Sequence, residues 1–109
     1  MLVALPQANG QAKPRPAGVL REMPPFQDLL LCGISSQLHQ VTAGFDEILQ
    51  PFEADFSASG LRVAFVIRLG FLSVLPKTRI LGTLGTLAPE RHRRLLDRLA
   101  AYLLTGFQE

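Results

Sequence analysis

Apolar residues along the chain gather into short runs separated by proline, glycine and polar clusters, and the spacing changes only near the end. Leu2-Val3-Ala4-Leu5 reads as a short strand stopped by Pro6. Asn9-Gly10, inside the polar stretch 7–14, favours a tight reversal before a second run at 17–20. Pro24-Pro25 breaks that run, and 29–34 makes a third. These runs are nearly continuous in apolar residues rather than alternating, which predicts strands buried on both faces, as in a small closed barrel. Asp46-Glu47-Ile48-Leu49 is a candidate exposed edge strand before Pro51, and 55–60 reads as one helical turn ended by Gly60. The clearest strands are 63–69 and 72–75, separated by Gly70. A last short strand at 80–85 carries Gly82 and Gly85, which predict a bend or a close backbone approach.

From Pro89 the period becomes helical. Leu95, Leu96, Leu99, Ala100, Leu103 and Leu104 recur at three- and four-residue spacing with arginines between them. Pro89 suits a first helical position, Glu90 the positive end of the helix dipole, and Gly106 a stop. Strands first and a helix last predict a mainly β, α+β fold: an SH3-like barrel with a C-terminal amphipathic helix laid against it.

At 109 residues, 48% apolar, the chain can bury one core, so a single domain over 1–109 is expected. No apolar run approaches the roughly 18 to 20 residues of a membrane span, and the start lacks the basic flank of a signal peptide, so a soluble, cytoplasmic protein without a membrane partner is expected. Cys32 is the sole cysteine and lies in an apolar run, which predicts a buried thiol and rules out an internal disulfide. P-loop, GxGxxG and HExxH patterns and zinc-type His/Cys spacing are all missing, so neither a metal nor another cofactor is implied.

A net charge of +2 permits a nucleic-acid partner without requiring one, and the distribution says more. Arg91, Arg93, Arg94 and Arg98 crowd the helix, where a solvated face is the expectation, with His92 exposed among them. Lys13, Arg15 and Arg21 flank a loop, and Arg68 ends an apolar run.

Three ordered sets of segments carry a resemblance. Lys13-Pro14-Arg15-Pro16-Ala17-Gly18-Val19-Leu20 is followed by Ile34-Ser35-Ser36-Gln37, and then by Ser59-Gly60-Leu61, Val66-Ile67-Arg68-Leu69 and Ile80-Leu81-Gly82-Thr83-Leu84-Gly85-Thr86-Leu87. In order and spacing, over nearly the whole chain, these segments resemble the PemK/MazF-like toxins of the CcdB/PemK-like barrel superfamily. The resemblance implies a type II toxin–antitoxin toxin that cleaves single-stranded RNA without metal by attack of the ribose 2′-hydroxyl on the adjacent phosphate. It assigns Arg15 and Ser35 as catalytic residues, the cation and the hydroxyl that meet the negative charge growing on the phosphoryl oxygens. Ser36, Gln37, His39, Lys13 and Arg68 are assigned to substrate binding. It further implies a homodimer and a cognate MazE/PemI-like antitoxin. One position departs from the pattern: some members carry an aspartate two residues after the arginine that matches Arg68, where this chain has Gly70. The alternatives are a non-catalytic barrel that binds RNA or protein and a CcdB-type toxin that binds gyrase.

Overall fold

The computed structural model describes residues 1–6 and 14–106. Six strands and one long helix follow in order: β1 (Leu2–Leu5), β2 (Arg15–Met23), β3 (Asp28–Ser35), β4 (Glu47–Leu49), β5 (Phe65–Leu75), β6 (Gly82–Gly85) and α1 (Pro89–Thr105). They make one antiparallel sheet of order β4-β5-β3-β2-β1-β6 with α1 after it, so the expected α+β arrangement of strands and closing helix is present. The sheet is not closed. Its end strands β4 and β6 do not pair with each other.

The continuous apolar runs are explained nonetheless, because the middle of this open sheet is covered on both faces. Leu2, Leu20, Cys32, Ile34, Phe65, Ile67 and Leu69 join Leu95 and Leu99 of α1 in one buried cluster. Val3, Ala17, Leu29 and Leu31 form a second, against which Leu5, Val19, Leu75 and Ile80 pack. Alternate residues of β1 and β3 thus point into different cores, and neither parity is left for solvent. Burying a leucine such as Leu95 contributes about 1.5–3 kcal/mol. Cys32 is buried as expected, and loss of solvent pushes its thiol up to about 12.

Three expectations need correction. The strands expected at 63–69 and 72–75 are one strand, β5, and Gly70 marks a bulge in it rather than a break. Strand β4 does sit at the sheet edge but is not exposed: Glu47 and Leu49 are buried beneath neighbouring groups. Finally, the apolar stripe of α1 is only partly used. Leu95 and Leu99 are buried, whereas Leu103 and Leu104 are 71% and 83% exposed.

The helical turn ended by Gly60 is present as a short turn over Ser57–Ser59. Gly60 has φ +76°, in the left-handed region, and a Cβ there would fall 2.0 Å from the Leu84 carbonyl oxygen. The close backbone approach expected of the last strand is found at Gly85, where a Cβ would lie 2.2 Å from the Ala58 carbonyl oxygen. Among the described residues no helix is long and apolar enough to cross a membrane.

Candidate functional site

Strands β2, β3 and β5 are neighbours, and their parity decides which side chains meet. Ala17 is opposite Gly33, and Gly33 is opposite Arg68. Counting by twos places Arg15 with Ala17, Ser35 with Gly33, and Arg68 with Val66. All three therefore lie on the sheet face away from α1. There they line a groove of about 390 Å³, together with Ser36, Gln40, Arg62 and Phe71.

The groove is cationic. Arg15, Arg62 and Arg68 line it, and no carboxylate or imidazole does among the described residues. Arg15 Cζ lies 5.9 Å and Arg68 Cζ 5.5 Å from the centroid of the Phe71 ring, so one aromatic side chain is flanked by both guanidiniums. Ser35 Oγ accepts a hydrogen bond from the Gln37 backbone N–H at 3.0 Å. That bond uses the oxygen as acceptor and leaves the hydroxyl hydrogen to donate. Arginine forks and hydroxyl donors on one wall can bind a phosphate and stabilise charge that grows on its oxygens.

Of the residues singled out in the sequence, Arg15, Ser35, Ser36 and Arg68 come together here. Gln37 and His39 lie outside the lining: β3 ends at Ser35, and the short turn over Leu38–Gln40 brings Gln40 to the groove instead. Lys13 lies outside the described residues. Gly70 is exposed on the β5 bulge and supplies no carboxylate. Arg62 and Phe71 are the residues that sequence reasoning missed. Arg62 follows directly on Ser59-Gly60-Leu61, whose serine is buried, donates to the Phe56 carbonyl and accepts from Leu61 N–H at 3.2 Å. Phe71 follows Gly70, which the pattern treated as punctuation.

The second cluster of arginines has a different character: the expectation of a solvated helix face holds for Arg93, fails for Arg91, and misses the carboxylates that pair with Arg94 and Arg98. Arg91 is buried and donates to Glu47 at 2.7 Å, Glu53 at 3.0 Å and Asp55 at 2.9 Å. Arg94 and Arg98 reach Glu47 at 2.6 and 2.9 Å. Burial opposes the charge of Glu47, but Arg94, Arg98 and Arg91 outweigh it and hold its carboxyl below the usual range. The Arg91 hydrogen bond holds Asp55 low as well, against burial and with help from Ala88 N–H. Burial likewise opposes the charge of Arg91, but Asp55 and Glu53 raise its pKa further. His92 is half-buried rather than exposed, with Nε2 2.9 Å from the Leu20 carbonyl oxygen. These arginines fasten α1 to β4 and the loop after it. A larger groove of about 870 Å³ between β1, β2 and β6 is lined mainly by apolar groups, and its Lys77 is already paired with Glu22 at 2.7 Å.

No protein-family model matches the chain, and no curated protein sequence matches it. Among solved structures, Mycobacterium tuberculosis toxin MazF-mt6 is similar with a TM-score of 0.67 at 14% sequence identity, over 98% of this chain and 100% of that one. Strand order, closing helix and near-complete coverage together show that this chain has the fold of a MazF toxin.

Proposed function

We propose that this protein is the toxin of a toxin–antitoxin pair and cleaves single-stranded RNA by attack of the ribose 2′-hydroxyl. The observation that carries the reading is the convergence of Arg15, Arg68, Ser35 and Ser36 in one groove of a MazF-like fold. In the reaction a bond forms between the 2′-oxygen and phosphorus while the bond to the 5′-oxygen breaks. A 2′,3′-cyclic phosphate and a 5′-hydroxyl result. The 2′-hydroxyl loses a proton and the departing 5′-oxygen gains one. Arg15 and Arg68 meet the charge on the phosphoryl oxygens, and the Ser35 hydroxyl adds a donor. With no carboxylate or imidazole among the described lining residues, the lowering of the barrier rests on electrostatics.

An acidic antitoxin segment that orders on binding is the partner such a cationic groove would take, in competition with RNA. A homodimer belongs to the same reading. The leucines left exposed at the end of α1 are surface that a second copy would cover, and light scattering showing only a 12.0 kDa species would refute it.

The test is incubation of the purified protein with total RNA in EDTA, followed by mapping of fragment ends. Cleavage is expected to leave 5′-hydroxyl ends and to cease when the nucleotide 5′ of the cut is made deoxy, which removes the nucleophile. The lack of a carboxylate or imidazole among the described lining residues favours one other reading, an RNA-binding barrel without catalysis. Saturable RNA binding with no fragments would establish that reading instead.

A further inference from the structure

Strand β3 advances one residue between Cys32 and Gly33 while its partner β5 advances from Leu72 to Arg68, so Leu69, Gly70 and Phe71 form a bulge with nothing opposite them. Bulges beside functional sites re-aim side chains. Two features maintain this one. Buried Asp46 accepts the Leu69 N–H on Oδ1 and the Thr42 N–H on Oδ2, both at 2.9 Å, so the amide released from the ladder is satisfied. Gly33 leaves space for the ring: a Cβ there would stand 2.7 Å from Phe71 Cδ1.

The outcome is a phenylalanine that remains 52% exposed although it is packed against Gly33. The guanidiniums of Arg15 and Arg68 stand over its ring at 5.9 and 5.5 Å from the centroid, and it borders the groove and the neighbouring depression near Leu5, Pro6 and Ser73. An exposed aromatic surface next to two phosphate-binding forks and two hydroxyls matches the chemistry of a nucleotide, whose base is flat and apolar and whose phosphate is anionic. We propose that Phe71 is the platform on which an unpaired RNA base stacks, next to the phosphate held by Arg15 and Arg68. This inference rests on the proposed RNA-directed function and adds to it a residue that positions the substrate through its base. Because every base has a π-face, such a platform anchors the strand while leaving the choice of bases to other residues.

The experiment measures binding by fluorescence anisotropy to a short single-stranded RNA with 2′-O-methyl groups throughout, which prevents cleavage. Its sequence is that cut by the parent protein or, where nothing is cut, that of the tightest-binding homopolymer. An abasic residue is then moved along the strand one position at a time. The parent should lose about tenfold in affinity at one position and little elsewhere. Phe71→Ala should bind the intact strand about tenfold more weakly and no longer sense the abasic residue at that position. Phe71→Leu keeps an apolar side chain beside the arginines but has no π-face and should behave like Phe71→Ala, while Phe71→Tyr should restore the parent profile. Circular dichroism confirms that each variant is folded. If Phe71→Ala or Phe71→Leu keeps the parent's abasic profile, the platform is refuted while the RNA-directed function stands. If the parent binds and cuts no RNA, the functional reading falls and the platform falls with it.

Discussion

Two sets of arginines in this chain meet opposite surroundings. Arg91, Arg94 and Arg98 on α1 converge on Glu47, and Arg91 also holds Glu53 and Asp55. Arg15, Arg62 and Arg68 line a groove that has no carboxylate among its described residues. A guanidinium matched by buried carboxylates is committed to the fold, because removing it strands charge away from water. A guanidinium without such a partner costs the fold little to lose and keeps its donors for an anion. Local density of positive charge therefore does not by itself pick out the guanidiniums that stand without carboxylates. The presence or absence of nearby carboxylates is what separates the arginines of the helix from those of the groove.

Substitution of Arg91 should give the largest effect. Arg91→Ala leaves Asp55 and Glu53 without their partner and weakens the pairing of Glu47, so a loss of about 3 kcal/mol is expected. In a domain of this size that lowers the melting temperature by more than about 10 °C in a calorimetric scan. Acid should act on the same cluster. The folded pKa values of Glu47 and Asp55 lie below their unfolded values, so their contribution is complete above the ordinary carboxylate range near pH 4 and is lost as pH falls below it. The parent's melting temperature should drop steeply there, and that of Arg91→Ala less so. Equal acid sensitivity in the two proteins would show that the cluster is not the seat of the effect.

Next in size, Arg15→Ala should reverse the pattern. Cleavage is expected to fall by at least about a hundredfold, as when one transition-state donor is removed, with the melting temperature nearly unchanged. Ser35→Ala should cost less, about tenfold, because a neutral hydroxyl is the weaker donor. Both rates are read in single-turnover assays on folded protein. An Arg15→Ala protein that cuts RNA as fast as the parent would erase the distinction between the clusters.

The smallest effect belongs to Arg93, which shares the helix with Arg91 but pairs with Asp97 at 3.2 Å on the exposed surface. Arg93→Ala should change stability in a urea titration by less than about 0.5 kcal/mol. A loss comparable to that of Arg91→Ala would mean that position on the helix, rather than burial with carboxylates, sets the cost.

The local pattern of the chain determined its elements. Runs of apolar residues bounded by Pro6 and by Pro24-Pro25 became β1, β2 and β3, and three- and four-residue spacing after Pro89 became α1, ended at Gly106. The ordered segments around Arg15, Ser35 and Arg68 also led to one groove. All of this depends on residues near one another in sequence, where propensity and period act directly. Tertiary structure alone decided three other things. It left the sheet open while covering its middle on both faces. It paired Arg91, Arg94 and Arg98 of the helix with carboxylates and buried Arg91 among them, because their partners Glu47, Glu53 and Asp55 lie about forty residues earlier in the chain. It also carried Phe71 into the groove, because Gly70 sits in a bulge whose existence depends on the register of β5 against β3. Register, burial and charge pairing are relations between distant segments, so no window of sequence contains them.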